Sequence, residues 1–453
     1  MTGPGGTGPG GTAGPAARES GAATGQPATP PGLAVWRNAV FTVFGLSGLG
    51  FATWVSRIPA VRDGMELSTS TIGYMLFGLA AGSLLGLAAA PSYLARLGSR
   101  RGLLVAVLAM ASCTAGLGAA AGLLASLPLT VVALCLFGFA FSVCDVVMNM
   151  EGALVERAAG KTLMPLMHAF FSIGTVAGAV LGAAAAAASV PVAAHFAALG
   201  LAVAVAGAAS ARRIPVPAGP GGAARSGAPD GPPAPAADGS RAGMRRGPRA
   251  VVPRFGSAAR LARDPRLLLL GLMVVGMAFA EGSANDWLAL AAVDGHGMGN
   301  AGGALVYGAF VAAMTLGRVA GGPLIDRHGR PVVLVAMAAV GVAGIAAFIL
   351  TDEPWVAFAA AVLWGLGGSL GFPVGISAAA DHPTDAARRV SMVSIFGYSA
   401  FLVGPPVLGF FGEAWGILAA FYLVAAMLAV SLAATPAALR PPRDAQGSGR
   451  GPG

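Results

Sequence analysis

The sequence predicts an all-α polytopic membrane protein of twelve transmembrane helices arranged as two six-helix bundles. Three observations predict it. First, 56% of the 453 residues are hydrophobic and only 10% are charged, against roughly 25% charged in soluble domains. A chain this long cannot cover a water-facing surface with so few charges. Second, apolar runs of about 20 residues follow one another, each long enough to cross ~30 Å of hydrocarbon as a helix. Third, the runs come as six, a long polar break, and six more.

In order, residues 1–35 open with a segment rich in Gly, Pro, Ala and Thr, with no basic stretch leading into an apolar one. This predicts a disordered tail and not a signal peptide. Residues 36–210 hold the runs 36–55, 70–94, 102–125, 129–150, 163–187 and 190–210. The break, 211–266, is rich in Pro, Gly, Ala and Arg without apolar periodicity, which predicts a flexible linker. Residues 267–436 hold the runs 267–291, 301–325, 331–351, 355–379, 390–411 and 415–436, and 437–453 form a second disordered tail.

The net charge of +9 does not point to nucleic acid. Of the 28 Lys and Arg, 11 lie in 211–266 and nearly all others sit in loops and tails that fall on one side of the membrane. That side carries Arg96, Arg100 and Arg101; Arg157 and Lys161; Arg327 and Arg330; and Arg388 and Arg389. The other side carries only Arg57 and Arg62, beside the acids Asp294, Asp352, Glu353 and Glu413. Short cytoplasmic loops concentrate Lys and Arg, so both termini are expected in the cytoplasm of a bacterial cell. Cys113, Cys135 and Cys144 lie in apolar runs without metal-ligand or disulfide spacing and read as small packing residues. No cofactor, metal site or enzymatic motif is expected, and a monomer is.

The halves also resemble each other. Ala52-Thr53-Trp54 matches Asn285-Asp286-Trp287, Leu136-Phe137-Gly138 matches Leu363-Trp364-Gly365, and Arg96-Leu97-Gly98-Ser99-Arg100 matches Arg327-His328-Gly329-Arg330. Two six-helix repeats in parallel topology are an arrangement found in transporters.

The stretch from Gly321 to Arg330 resembles the G-x-L-x-D-R-x-G-R motif of the major facilitator superfamily, with Gly322, Asp326, Arg327, Gly329 and Arg330 in its positions. The first-half copy keeps Arg96, Gly98, Arg100 and Arg101, while Pro91 and Ala95 replace the motif's Gly and Asp. The resemblance implies that the acid caps a helix end and pairs with basic residues to hold a gate. Asp145-x-x-x-Asn149, the His168–Gly174 segment and the stretch Glu281-Gly-Ser-Ala-Asn285-Asp286-Trp287 resemble the fucose-permease-like branch and its bacterial inner-membrane relatives. Met150 stands where the sugar permeases commonly carry Pro. The resemblance implies secondary transport of a small polar solute, with a sugar as its leading form. Efflux of a drug or metabolite, and a non-transporting sensor, remain the alternatives.

An acid inside an apolar run costs at least ~2.5–3.5 kcal/mol on insertion scales, so it should face the bundle interior. Asp145 and Asn149 share a helix face, and with the fourth run ending near Met150 they fall in its inner half, level with His168 on the fifth. Burial in a low-dielectric medium favours the neutral form of a carboxyl group, and an imidazole titrates near neutrality. Asp145, His168 and Glu281 are therefore candidates for proton coupling, with sodium an alternative ion. Asn149, His168, Asn285, Trp364 and Tyr398 are candidates for solute contact. Asp286, beside Trp287, reads as an outer-interface residue, with Trp54 and Trp287 as interfacial anchors. Arg318 reads as structural, snorkelling or paired with Asp326.

The orientation is testable in a background lacking the native cysteines. A cysteine placed at position 294 should react with an impermeant thiol reagent only from the periplasm, and one at position 388 only from the cytoplasm. Labelling of both from one side contradicts the assigned topology.

Overall fold

The computed structural model describes residues 1–3, 5–6, 32–161, 163–215, 264–381 and 386–439. Most of the expected tails and linker therefore lies outside the described residues. Those described beyond the tails form helices and short connections: α1 (Leu33–Val55), α2 (Ile58–Met65), α3 (Thr69–Gly122), α4 (Leu127–Ala159), α5 (Met164–Ala187) and α6 (Val192–Ala211) in the first half. The second half holds α7 (Pro265–His296), α8 (Asn300–His328), α9 (Arg330–Leu350), α10 (Pro354–Gly368), α11 (Gly371–Ala380), α12 (Ala386–Trp415) and α13 (Ile417–Ala438).

Eleven helices or helix pairs are long and apolar enough to span a membrane. The twelfth span is hidden in α3, a 54-residue helix interrupted at Gly98, whose φ of 66° and ψ of 177° are non-helical. Gly329, at the same place in the second repeat, joins α8 to α9 with φ 83° and ψ 151°. A side chain would strain either position, which gives the motif's glycines a structural reason in both halves. One span is broken instead of joined: α10 and α11 together make the tenth. Pro373 has no N–H to offer the carbonyl of Ser369, four residues earlier, so the helix opens there.

The repeat symmetry extends to packing. A Cβ on Gly138 of α4 would lie 2.3 Å from the Leu79 carbonyl of α3, and one on Gly365 of α10 would lie 2.2 Å from the Phe310 carbonyl of α8. Such backbone-to-backbone approach is how helices associate where lipid removes the hydrophobic drive between them. Trp54 and Trp287, expected at the interface, are instead only 2% and 0% exposed. Both lie inside the protein core: α7 continues past Trp287 to His296, and α2 follows directly after Trp54 at the end of α1.

The two bundles meet most tightly at the face that carries α2 and the α7–α8 turn. There Arg62 of α2 pairs with Asp294 of α7. The Asn300 amide donates to Asp63 at 3.3 Å, and the Ser70 backbone N–H donates to Glu413 of α12 at 3.2 Å. Just below, α3 and α12 cross in backbone contact, where a Cβ on Gly73 would sit 2.9 Å from the Pro405 carbonyl and 3.1 Å from Gly409 Cα. At the opposite, arginine-rich face several bonds run within a bundle. Trp36 donates to Glu151 at 2.9 Å, Arg330 pairs with Asp381, and Arg389 with Asp264. Asp264 also caps α7 by accepting from the Arg266 and Leu267 N–H groups. Partial burial works against its charged form, but these partners outweigh it and hold the carboxyl below the usual range.

A leucine at position 73 should disrupt the seal. Overpacking of a tight contact costs ~1–3 kcal/mol, enough to shift a two-state balance roughly 5- to 150-fold. In Gly73→Leu, the rate at which an impermeant reagent entering from the α2 face labels a cysteine at position 142 should rise accordingly. An unchanged rate means the Gly73–Gly409 crossing is not a seal.

Candidate functional site

Among the described residues, two cavities between the bundles bear on the candidate residues. The central one, about 250 Å³, is lined by α1 and α3 (Phe51, Leu76, Leu79, Ala80, Ser83, Leu84, Leu87) and α4 (Phe141, Ser142, Asp145) from the first bundle. The second bundle contributes Gly282, Asn285 and Asp286 of α7 and Tyr398, Phe401, Leu402 and Pro405 of α12. The second cavity, about 680 Å³, is a vestibule in the arginine-rich half. Pro165, Leu166, His168, Ala169, Phe171 and Ser172 of α5 face Thr315, Arg318, Val319 and Gly322 of α8 across it, and Asp145 stands at its inner limit. Toward the other face α5 and α8 converge, with a Cβ on Gly308 only 3.2 Å from Ala179.

Asp145 is the one residue that lines both cavities. Its carboxylate accepts from the Asn149 amide at 3.1 Å, and the same amide bonds the Asp145 backbone carbonyl at 2.9 Å. Asn149 thus orients the acid and lines neither cavity. The 33-residue α4 does not end near Met150 but runs to Ala159, because Glu151–Ala159 continues as a polar helix beyond the apolar run. Glu156 at its end caps α5, accepting from the Leu163 and Met164 N–H groups at 2.6 and 2.8 Å. Asp145 therefore sits mid-helix, while His168 lies in the second turn of α5. The expected match in depth does not hold; the two share the vestibule without a mutual hydrogen bond, and the His168 ring packs edge-on to Phe44 at 5.2 Å.

Glu281 is placed otherwise than the sequence reading expected. Its carboxylate accepts from Arg318 of α8 at 2.8 Å, and Arg318 Nε donates to the Ser369 carbonyl at 3.2 Å. That carbonyl is the one Pro373 leaves without a helical donor. One guanidinium thus ties α7, α8 and the break between α10 and α11 together, and its partner is Glu281, not Asp326. Asp326 is solvent-exposed, with no hydrogen bond or ion pair among the described residues, so the pairing the motif resemblance implied is not made in this conformation. Arg330 bonds Asp381 and, at 3.2 Å, the Ser377 hydroxyl; Arg96, Arg101, Gly322 and Arg327 are exposed, and Arg100 is half-buried.

Of the solute-contact candidates, Asn285 and Tyr398 line the central cavity. Asn285 accepts from the Tyr307 hydroxyl at 3.3 Å, and Tyr398 packs near Phe372, whose place in the repeat matches that of Asp145. Trp364 does not line it. Fully buried, it sits among Phe310, Phe348 and Phe421 at 5.3–6.3 Å in the second bundle's own core. Asp286, read from the sequence as an interfacial residue, lines the central cavity, because α7 continues well beyond it. Cys113, Cys135 and Cys144 are free, with Cys144 buried 3.8 Å from the Ser47 hydroxyl. Among the described residues no group of His, Cys, Asp and Glu is placed to hold a metal.

Two pseudo-repeated six-helix bundles around a central cavity, reached through a vestibule from one face, define the architecture of a secondary transporter. The family model for the Major Facilitator Superfamily matches residues 152–388 and 287–452. An uncharacterised transporter of Sinorhizobium fredii is 30% identical over 411 residues, 88% of this chain and 97% of that one. An uncharacterised MFS-type transporter of Yersinia pestis is 28% identical over 420 residues, 92% of this chain and 98% of that one. The membrane protein MosC of Rhizobium meliloti is 26% identical over 404 residues, with 88% and 89% covered. The chain belongs to the Major Facilitator Superfamily. Among solved structures, the nucleoside transporter NupG superposes with a TM-score of 0.66 at 13% identity, covering 90% of this chain and all of that one. The transporter FucP in its outward conformation gives 0.56 at 17%, covering 90% and 100%.

The Arg318–Glu281 pair yields a test. Removing one partner of a buried pair costs ~3–5 kcal/mol and an exposed pair is worth up to ~1 kcal/mol. Arg318 is 38% exposed to the vestibule and Glu281 14%, so Arg318→Met should fall between those limits in thermal unfolding of purified protein. Adding Glu281→Gln should recover part of the loss. If Glu281→Gln alone leaves stability intact but abolishes gradient-driven transport, Glu281 is a coupling residue and not a tether.

Proposed function

We propose that this transporter couples the movement of a small polar solute to protons by alternating access, with Asp145 as the coupling carboxylate. The observation that carries the reading is the position of Asp145 as the shared wall of the central cavity and the vestibule. A group at that boundary meets solvent from one face in this conformation and the solute from the other side. Its only hydrogen-bonding partner among the described residues, Asn149, is neutral, and a carboxyl group without a cationic partner at membrane depth readily takes up a proton. The titratable and charged groups that share its two cavities are His168 and Arg318 in the vestibule and Tyr398 and Asp286 in the central cavity, with the Cys144 thiol next to it in the chain. His168 lies on the route between Asp145 and the open face and serves as the relay.

With the arginine-rich face in the cytoplasm, as the distribution of Arg in loops favours, the conformation is inward-facing. The Arg62–Asp294 and Gly73–Gly409 contacts then close the periplasmic side. In the outward state these contacts part and α5 and α8 close over the vestibule, where the motif residues around Gly98 and Gly329 can meet across the bundles. Residues 36–210 and 267–436 act as the two rocking bodies, joined through 211–266, in the cytoplasmic membrane of a bacterium and as a monomer. By resemblance the solute is a sugar or a related polar molecule taken up with protons; efflux is the alternative direction.

Asp145→Asn in proteoliposomes should abolish accumulation driven by a pH gradient while leaving binding and solute exchange largely intact. The solute for that assay comes from a thermal-shift screen of sugars, organic acids and cationic compounds. Undiminished accumulation against a gradient in Asp145→Asn overturns the coupling role.

A further inference from the structure

We propose that the central cavity takes a small organic cation whose ammonium group pairs with Asp286, facing Asp145 across the cavity. The proposal rests on the transport reading above and narrows its solute class.

The sign of the cavity comes first. Two carboxylates, Asp145 from the first bundle and Asp286 from the second, line it, and among the described residues no Lys, Arg or His does. The basic groups nearest by, Arg318 and His168, belong to the vestibule, and Arg318 is already engaged by Glu281 and the Ser369 carbonyl. An anionic solute would meet two acids and no counter-charge.

Asp286 sharpens the argument. It is half-buried on the cavity wall, and among the described residues it makes no hydrogen bond or ion pair. Its neighbour Asn285 is bonded by Tyr307, and Asp145 is bonded by Asn149. A buried charge without a partner is costly, and a counter-ion that arrives with the solute removes the cost. Asp286 is therefore the carboxylate left for an ammonium, and Asp145 the one left for the proton.

The walls fit the rest of such a molecule. Phe51, Phe141, Tyr398 and Phe401 surround the two acids, and aromatic faces attract desolvated ammonium groups within ~6 Å. Most of the remaining wall is Leu, Ala, Gly or Pro, which offers a neutral sugar few partners for its hydroxyls. At about 250 Å³ the cavity is below the ~300–1,000 Å³ usual for drug-sized ligands. The solute is therefore a small amine or quaternary ammonium, an amino sugar included, and not a bulky drug.

The test uses matched pairs on the purified full chain by thermal shift and titration: glucosamine against glucose, phenylethylamine against 2-phenylethanol, and choline against 3,3-dimethylbutan-1-ol. In at least one pair the cation should bind ~10-fold or more tightly than its neutral partner. Asp286→Asn should erase that preference, while Asp286→Glu keeps it. Equal binding within every pair by the wild-type protein, including no binding at all, overturns the proposal without recourse to any variant. So does a preference that survives in Asp286→Asn. Cation binding that is intact but evokes no transport in proteoliposomes upholds the solute class and defeats the transport reading, whereas proton-driven transport of only the neutral members does the reverse.

Discussion

An ionised side chain in the middle of a membrane-spanning helix costs at least ~2.5–3.5 kcal/mol, and the layout of this protein follows from how its few such groups are placed. Arg318 and Glu281 neutralise each other and, through the Ser369 carbonyl, brace the break between α10 and α11. That leaves Asp145 and Asp286 as acids facing a cavity without a basic neighbour on its wall. The same low-dielectric surroundings that make these two costly also make them responsive. Their charge can be relieved only by a proton, a solute or water, and each of these arrives by a defined route.

The routes are set by backbone geometry more than by side chains. Where α3 and α12 cross at Gly73 and Gly409, nothing larger than hydrogen fits between them, and one face is shut. Where α5 and α8 diverge beyond Ala179 and Gly308, a vestibule opens to the other. Asp145 lies where the closed and open halves meet. Alternating access needs little more than exchanging which of these two crossings is tight. Of the paired glycines of the repeats, Gly138 and Gly365 let helix backbones approach within each bundle, and Gly98 and Gly329 let the chain turn between spans with positive φ.

Much of this was legible in the sequence. Composition, the six-and-six spacing and the repeat matches specify the fold, and the cost of a carboxylate in lipid draws attention to Asp145 and Glu281 alike. Two of the misreadings share a cause. Hydropathy marks where a helix is oily, not where it ends. The polar continuation Glu151–Ala159 therefore escaped notice, and Asp145 was placed too near one end. For the same reason α7 was taken to stop soon after Trp287, which made Asp286 look interfacial when it lies on the cavity. Trp364 was read as a ligand-facing ring, but its neighbours Phe310, Phe348 and Phe421 come from three other helices, and no sequence period reports that cluster. Arg318 was matched to the acid nearest in sequence, whereas helix packing brought it the acid of α7.

The central claim is that Asp145 gains and loses a proton during function while Glu281 serves as the tether of Arg318. Infrared difference spectroscopy of the purified protein, stepped between acidic and alkaline pH, reads the carbonyl band of protonated carboxyl groups directly. The account predicts a titrating component that is absent in Asp145→Asn and fully retained in Glu281→Gln. A spectrum unchanged by Asp145→Asn, or one that loses its titrating component in Glu281→Gln, would contradict it.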